Sequence, residues 1–413
     1  MKNKPYALAG KKYGNNFLFR EIMAEKHLHI VCYDVPYPVD YGGVFDLFYK
    51  IKTLSEAGVK IHLHCFEYGR GQQPELEKYC VEVNYYERLS AFKSISTTLP
   101  HIVASRANVQ LLANLKKDKH PILMEGIHCT YFVHNGDLPS ERCFVRLPNV
   151  EYNYYSKLAE TTTSLPKKLY YQRESKLLYK YEKGLADKAD FWTISQKDCD
   201  VFQYELGYKK IDNFPLYLPQ YNPVWKGEKG GFCLYHGNLE VEENEYAATW
   251  LMEEVFSKVK IPLVIAGKNP SKKLEKLAHA QLHTCIVTNP SDKELEDLIR
   301  KAQVNVLPSF NNTGVKLKLI NALYNGRHCL LNASSVEGSG LDDCCTIANT
   351  CSAIQKEVER LYELPYSYYN FEHRMKVLNS TFNNTRNAQQ MIGWIFGGEP
   401  TYPGYYLQHG QAI

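Results

Sequence analysis

The stretch NTGVKLKLINALYNG, residues 312–326, combines residue types suited to holding an anion. On a 3.6-residue period Val315, Leu319, Ala322 and Leu323 share one face, with Ile320 beside it, and that face is expected to pack into a core. Gly314, Lys318, Asn321 and Asn325 stand at i, i+4, i+7 and i+11 and share another. A helix start leaves backbone N–H groups without helical partners and carries the positive end of the macrodipole. Gly314 allows close approach there, and Lys318, with Lys316 nearby, adds positive charge. A phosphate or diphosphate is the ligand chemistry that fits. Spacing alone equally fits a core helix whose lysine and asparagines are merely solvated, and both readings stay open.

Other stretches carry weaker signals. The loop DYGG, residues 40–43, lies between a strand-like and a helix-like run. Gly42 and Gly43 can therefore turn backbone N–H groups towards a second anion, or simply make a tight turn. No G-x-G-x-x-G occurs, so the dinucleotide fingerprint of NAD-dependent enzymes is absent. His128 ends the strand-like PILMEGIH, where α/β folds place functional side chains; a structural role is the alternative. The pairs His27/His29 and His62/His64 stand at i, i+2 on strand faces, a metal-ligand type without a third ligand in a fixed place nearby. They are expected to be strand-surface histidines. DCD, residues 198–200, has the form of the D-x-D of metal-dependent sugar transferases. Ser195 with Asp198 reads instead as a helix start, which points Asp200 away from Asp198. No metal is expected at the site.

These groups need elements to position them, and the chain supplies an alternation of strand and helix. HLHIVCYD, a helix-spaced VFDLFYKIKTLSEAGV ending on Gly, and KIHLHCFE form a βαβ unit; PILMEGIH, CFVRLP and FWTIS continue it, with a long amphipathic segment over about 166–190. The pattern restarts at GFCLYHGNL and runs through IPLVIAGK, HTCIVTNP, VNVLPSF and HCLLN with helices between. Its 413 residues exceed one typical core, so two doubly wound α/β domains are expected, with a seam in the Pro- and Gly-punctuated 211–231.

Composition excludes several classes. A 44% apolar and 23% charged chain is not disordered, and a net charge of +4 is too slight to imply nucleic-acid binding. The 12 cysteines lack C-x-x-C pairs and fall partly in apolar runs, as buried free thiols of a reducing compartment do. The first 26 residues lack a signal-peptide apolar run, and no segment reaches transmembrane length. A cytoplasmic protein is expected. Any membrane contact would be peripheral at the inner face, for which Lys176, Lys180 and Lys183 form a basic stripe.

Several stretches together resemble the GT-B glycosyltransferases, most nearly the retaining family 4 (group 1) type of bacterial polysaccharide and glycolipid pathways. They are PYPVDYGGVFDLFYKIKTLSEAGVKIHLH, VRLPNVEYNYYSKLA, YEKGLADKADFWTISQKD, LYHGNLEVEENEYAATWL and LPSFNNTGVKLKLINALYNG, in the family's order over about 27–335. The resemblance implies two Rossmann-like domains facing across a cleft. Residues 1–212, joined by about 380–413 crossing back through NAQQMIGWIF, would form the acceptor-side domain, and 213–379 the domain that binds the nucleotide-sugar donor.

It also implies roles for particular residues. Aligned on Gly314, the two acidic positions of the family's Glu-x7-Glu fall on Thr313 and Asn321, and the cation facing the diphosphate falls on Lys318. Asn238, with Glu243 or Asn244, stands where many members carry Arg and Lys. The expected donor set is Gly42, Gly43, Asn238, Gly267, Thr313, Gly314, Val315, Lys318 and Asn321. His128 and Lys318 are the expected catalytic residues, and Arg146, Asn149 and Glu151 the acceptor side. The implied reaction moves a sugar from a nucleotide diphosphate sugar to a hydroxyl of a glycan or lipid-linked acceptor, with retention and no metal. A non-catalytic GT-B partner or sugar-binding scaffold, and a sugar-nucleotide epimerase, are the alternatives.

Overall fold

The computed structural model describes residues 25–397 apart from 163, 226, 312 and 313. The remaining residues of 1–24 and 398–413, which the sequence analysis places in the first domain, lie outside the described residues, as does Thr313. Among the described residues thirteen strands form two sheets. The first holds β1 His27–Cys32, β2 Lys60–Glu67, β3 Glu82–Glu87, β4 Ile122–Glu125, β5 Cys143–Leu147, β6 Asp190–Thr193 and β7 Ile211–Asn213, in the order β3-β2-β1-β4-β5-β6-β7. The second holds β8 Cys233–Asn238, β9 Leu263–Lys268, β10 Thr284–Thr288, β11 Val304–Val306, β12 His328–Leu331 and β13 Thr346–Ile347, in the order β10-β9-β8-β11-β12-β13. Every pairing is parallel.

The apolar runs explain this choice. Leu28, Ile30, Val31 and Cys32 of β1 are all buried, as strands covered by helices on both faces must be. Helix α1, Gly42–Glu56, buries Val44, Leu47, Phe48, Ile51 and Leu54 at helical spacing. It stops where Gly58 adopts φ +90°, with its N–H donated back to Ser55 O. Helix α2, Glu151–Thr161, packs on the longer α3, Leu165–Leu185. The buried Glu182 of α3 accepts from the backbone N–H groups of Glu151 (2.8 Å) and Tyr152 (3.1 Å), so it fixes where α2 begins.

Ser195 Oγ accepts from the Asp198 N–H at 3.1 Å and starts helix α4, Gln196–Asp200. Asp200 bonds Gln196 Nε2 instead of joining Asp198, so the two acids form no D-x-D pair. In the second domain α5, Glu242–Trp250, follows β8, and α6, Leu317–Asn325, follows β11. The last described helix, α7 at Asn384–Phe396, buries Ala388, Met391, Ile392 and Ile395 in the core of the first sheet. Its Trp394 stacks on Trp192 of β6 with ring centres 5.5 Å apart.

Two expectations change. The stretch expected to be a featureless seam from 211 contains β7, which closes the edge of the first sheet. The anion-suited helix starts at Leu317, with Lys316 as its cap, because Gly314 adopts φ +62°, a left-handed conformation no helix accepts.

Candidate active site

Each sheet reverses its strand order once, between β1 and β4 in the first and between β8 and β11 in the second. In doubly wound sheets ligands bind outside the carboxyl ends of strands at such points. The loops leaving these four strands carry most of the candidate residues, and they meet.

From the second sheet, β11 leads through Ser309 to Gly314 and α6. Leu319 and Ile320 donate their N–H groups back to Lys316 O at 3.0 and 3.3 Å. At this terminus the first N–H groups have no helical acceptor and point, with the dipole, out of the helix. Lys318 is part-buried; its Nζ donates to Asn244 Oδ1 at 2.9 Å and Tyr235 Oη at 3.3 Å, 4.9 Å over the Tyr235 ring. Burial lowers its pKa to about 8, although Glu243 pulls the other way. Lys316 is lowered too, again by burial first, with Glu243 opposing. Glu243 in turn accepts from Ser309 Oγ at 2.6 Å. Lys316, Lys318 and Glu243 thus form one electrostatic group around the helix start.

On the other side, Gly42 and Gly43 are the first residues of α1. A Cβ on Gly42 would stand 3.7 Å from Leu317 Cδ1, so this loop abuts the start of α6 across the cleft. A Cβ on Gly43 would meet Tyr41 Cε2 at 2.6 Å and Tyr33 Oη at 2.8 Å, and Tyr33 Oη donates to Gly43 O. Gly314 faces Asn149 in the same way: its Cβ would lie 2.9 Å from Asn149 Oδ1. The cleft is bridged nearby by a Lys197–Glu337 ion pair at 2.8 Å.

His128 sits just after β4, its ring 5.0 Å from that of Tyr33. Its Nδ1 is buried and has no hydrogen-bond partner among the described residues. Burial, then the positive Arg106 and Arg88, hold its pKa well below the ordinary value. The side chain is therefore a neutral imidazole at physiological pH. Gly126, at φ +75°, leaves room for it, since a Cβ there would come within 2.8 Å of Nδ1.

Three expected site residues have other work. Arg146 is wholly buried, bonded to Asp46 at 3.1 Å and to the carbonyls of Phe214 (2.8 Å) and Pro215 (2.7 Å), so it touches no acceptor. Gly267 is a packing glycine, because a Cβ there would lie 2.0 Å from Gly237 O. Asn321 stands one turn beyond Lys318 with its Oδ1 accepting from Asn325 at 2.8 Å. Asn238 ends β8, exposed, and its Oδ1 accepts from the Glu240 N–H. Val315 is half-buried against the second core. Tyr33 and Ser309 were absent from the expected set; each lies at a switch-point strand end, the signal that points to them.

A profile of the family described as "Glycosyl transferases group 1" matches residues 231–363, which carry β8 to β13 and α6. A Klebsiella pneumoniae protein, "Uncharacterized 44.6 kDa protein in cps region", is 30% identical over 339 residues, covering 75% of this chain and 84% of that one. The chain belongs to the group 1 glycosyl transferases. Its fold is that of GT-B enzymes. It superposes on WaaG, a glycosyltransferase involved in lipopolysaccharide biosynthesis, with a TM-score of 0.60 at 12% identity, covering 90% of this chain and all of WaaG. A trehalose-phosphate synthase from Burkholderia xenovorans gives 0.59 at 11% identity, with 90% and 100% coverage.

In this glycosyltransferase one acid at the cleft is set apart by its surroundings. Glu151, the first residue of α2, is only 5% exposed, and burial raises its carboxyl to about 7 against the pull of Asn149 and Arg106. A carboxyl raised on folding favours the native state while protonated, so its contribution is full below about pH 4.5 and is lost as pH rises through 7. Glu151→Gln is accordingly expected to be more stable than the parent protein above pH 8 and little different at pH 5. Urea unfolding at the two pH values measures this.

Proposed function

We propose that the chain transfers a sugar from a nucleotide diphosphate sugar to a hydroxyl of a glycan or lipid-linked acceptor in polysaccharide or glycoconjugate biosynthesis. The observation that carries this reading is the start of α6: a helix N-terminus with Lys316 and Lys318, close enough to the Gly42–Gly43 loop that a Cβ on Gly42 would touch Leu317. Negative charge grows on the diphosphate as the glycosidic bond breaks, and preorganised N–H groups and ammonium charge answer that demand. The same ammonium and N–H groups support a reaction without a metal, and Asp200 is engaged with Gln196 and not with Asp198. Retention of anomeric configuration rests on the family and on the neutral His128, which suits contact with a sugar hydroxyl at the cleft. We assign Asn149, which faces Gly314, and the neighbouring Glu151 to the acceptor side.

The relative in a cps region supports a polysaccharide product. No helix among the described residues is long and apolar enough to cross a membrane. Reach to a lipid-linked acceptor would be peripheral, with the exposed Lys176, Lys180 and Lys183 as the contact.

A thermal-shift screen against UDP-, GDP- and other nucleotide diphosphate sugars tests the donor, because binding to the native state raises Tm. The expected result is a rise with one donor class, followed by turnover that chelators do not abolish and a product of retained configuration by NMR. No shift with any of them would point to a non-catalytic scaffold. Conversion of the donor without an acceptor would point to an epimerase.

A further inference from the structure

The far end of the first sheet, opposite the cleft, holds five histidines in contact. His27 and His29 project from β1, His62 and His64 from β2, and His120 from the loop entering β4. The strand register pairs His29 with His62, and the side chains slant so that His27 Nδ1 lies 2.9 Å from His62 Nε2 and His29 Nδ1 2.9 Å from His64 Nε2.

The inner pair closes on itself as neutral rings. His29 Nε2 donates to Asp118 at 3.0 Å, its Nδ1 accepts from His64 Nε2, and His64 Nδ1 accepts from Tyr86 Oη at 2.8 Å. Tyr86 Oη in turn accepts from Asn114 Nδ2 at 2.7 Å. Every donor has an acceptor, and no charge is needed. Burial acts in the same direction, lowering both His29 and His64, the latter to about 3.

The outer pair is more open and faces two carboxylates. His62 Nδ1 lies 2.8 Å from Glu82, and His27 Nε2 lies 3.4 Å from Glu25. With an N–H turned to each carboxylate, His27 Nδ1 and His62 Nε2 present lone pairs to each other across 2.9 Å. A cation between the two nitrogens satisfies both carboxylates at once, whereas without one His27 Nδ1 donates to His62 Nε2 and gives up its N–H towards the exposed Glu25. His120 stacks on His27 at 4.8 Å, and one ring nitrogen from each of His27, His62 and His120 falls within 4.8 Å of the others. The neighbouring Arg142 is held on His120 O at 2.6 Å and beside Asp118 at 3.5 Å.

We propose that His27, His62 and His120 bind a divalent transition-metal ion of the zinc class. Three imidazoles are a common ligand set for such an ion, with water or a carboxylate in the fourth position. Bond lengths of about 2.0–2.1 Å in a tetrahedron set nitrogens roughly 3.3 Å apart, so the His27–His62 pair opens by only a few tenths of an ångström. Glu82 and Glu25 supply the outer-shell acceptors that orient metal-bound imidazoles. The ion would tie β1 and β2 to the loop entering β4, at the end of the sheet away from sugar transfer. The third ligand was not legible in the sequence, because only the fold brings His120, 58 residues after His62, to the pair.

Titration of the metal-stripped full chain with Zn²⁺ by calorimetry, and with Co²⁺ by visible absorption, tests the proposal. One equivalent is expected, with a raised Tm and the d–d bands of cobalt in a low-symmetry nitrogen site without a thiolate charge-transfer band. His120→Ala should remove the cobalt bands, and Glu82→Gln should weaken Zn²⁺ about 10-fold or more. Cys285→Ser, which removes an exposed thiol, should leave the titration unchanged. Binding that survives both His120→Ala and His62→Gln, or no saturable binding by the parent chain, would overturn the site and leave a shared proton as the cation between the rings.

Discussion

Replacing Lys318 with alanine is expected to lower sugar transfer by about a hundredfold or more, the scale of losing one preorganised charge stabiliser. The effect should fall on kcat more than on KM, because the ammonium answers charge that grows only as the leaving diphosphate separates. The position also has a pH signature. Burial lowers the Lys318 pKa to about 8, so the free enzyme loses the charge as pH rises through that value. The alkaline limb of kcat/KM, which reports the free enzyme, should therefore fall from about pH 8 and flatten in Lys318→Arg. Single-turnover rates across pH 6–10 check both statements. Near-parental turnover in Lys318→Ala would remove the residue from the mechanism.

The second large effect is on stability. Arg146→Ala is expected to cost about 3 to 5 kcal/mol, the scale of breaking a buried ion pair by removing one partner. Arg146 and Lys50 both hold Asp46, at 3.1 and 2.9 Å, and Lys50 also meets Glu125 at 2.8 Å. Asp46 Oδ1 accepts from the Tyr217 N–H at 2.7 Å, so the cluster clamps α1 and β5 to the segment leaving the first sheet. Arg146→Lys should rescue little, since one ammonium cannot span the Phe214 and Pro215 carbonyls and Asp46 together.

Burial alone would raise the Asp46 carboxyl, but Arg146 and Lys50 outweigh it and hold the pKa to about 2. A depressed carboxyl contributes stability above about pH 4 and loses it as pH falls towards 2. In Arg146→Ala the Asp46 carboxyl returns towards its ordinary value, so that acid limb should shrink and the gap to the parent protein should narrow as pH falls towards 2. Urea midpoints at pH 7 and pH 3 give both numbers, with the slope unchanged if the loss is one of stability alone.

Arg146 also shows where the sequence stopped being legible. In CFVRLP a charged residue inside an apolar strand looks like a site residue, and the resemblance placed it on the acceptor side. Its partners come from Asp46, 100 residues away, and from carbonyls beyond residue 213, which no local spacing reveals. Gly267 carried a readable signal, since a glycine within a strand marks close backbone approach, and it packs on Gly237 O.

The parallel alternation was plain because buried strands are continuous apolar runs. β3, β7 and β13 were not recognised, for physical reasons: the edge strand β3 carries the polar Glu82, Asn84 and Glu87, while β7 and β13 have three and two residues. The buried face of α6 was legible, since Leu319, Ile320, Ala322 and Leu323 all lie in the core. Its start was not, because Gly314 bends left-handed and delays the helix to Leu317.

Helix α7 has a consequence for synthesis. Its Ala388, Met391, Ile392 and Ile395 fill the same core as the β1–α1–β2 unit, more than 300 residues earlier in the chain. On the ribosome the amino-terminal half therefore emerges first yet keeps an apolar trough open until the second domain has been made. Vectorial order and structural order run in opposite senses here. A nascent chain arrested between the two halves should be a chaperone client, and a chain cut in the 214–231 connection should yield a first half that aggregates unless residues 384–396 are supplied in trans.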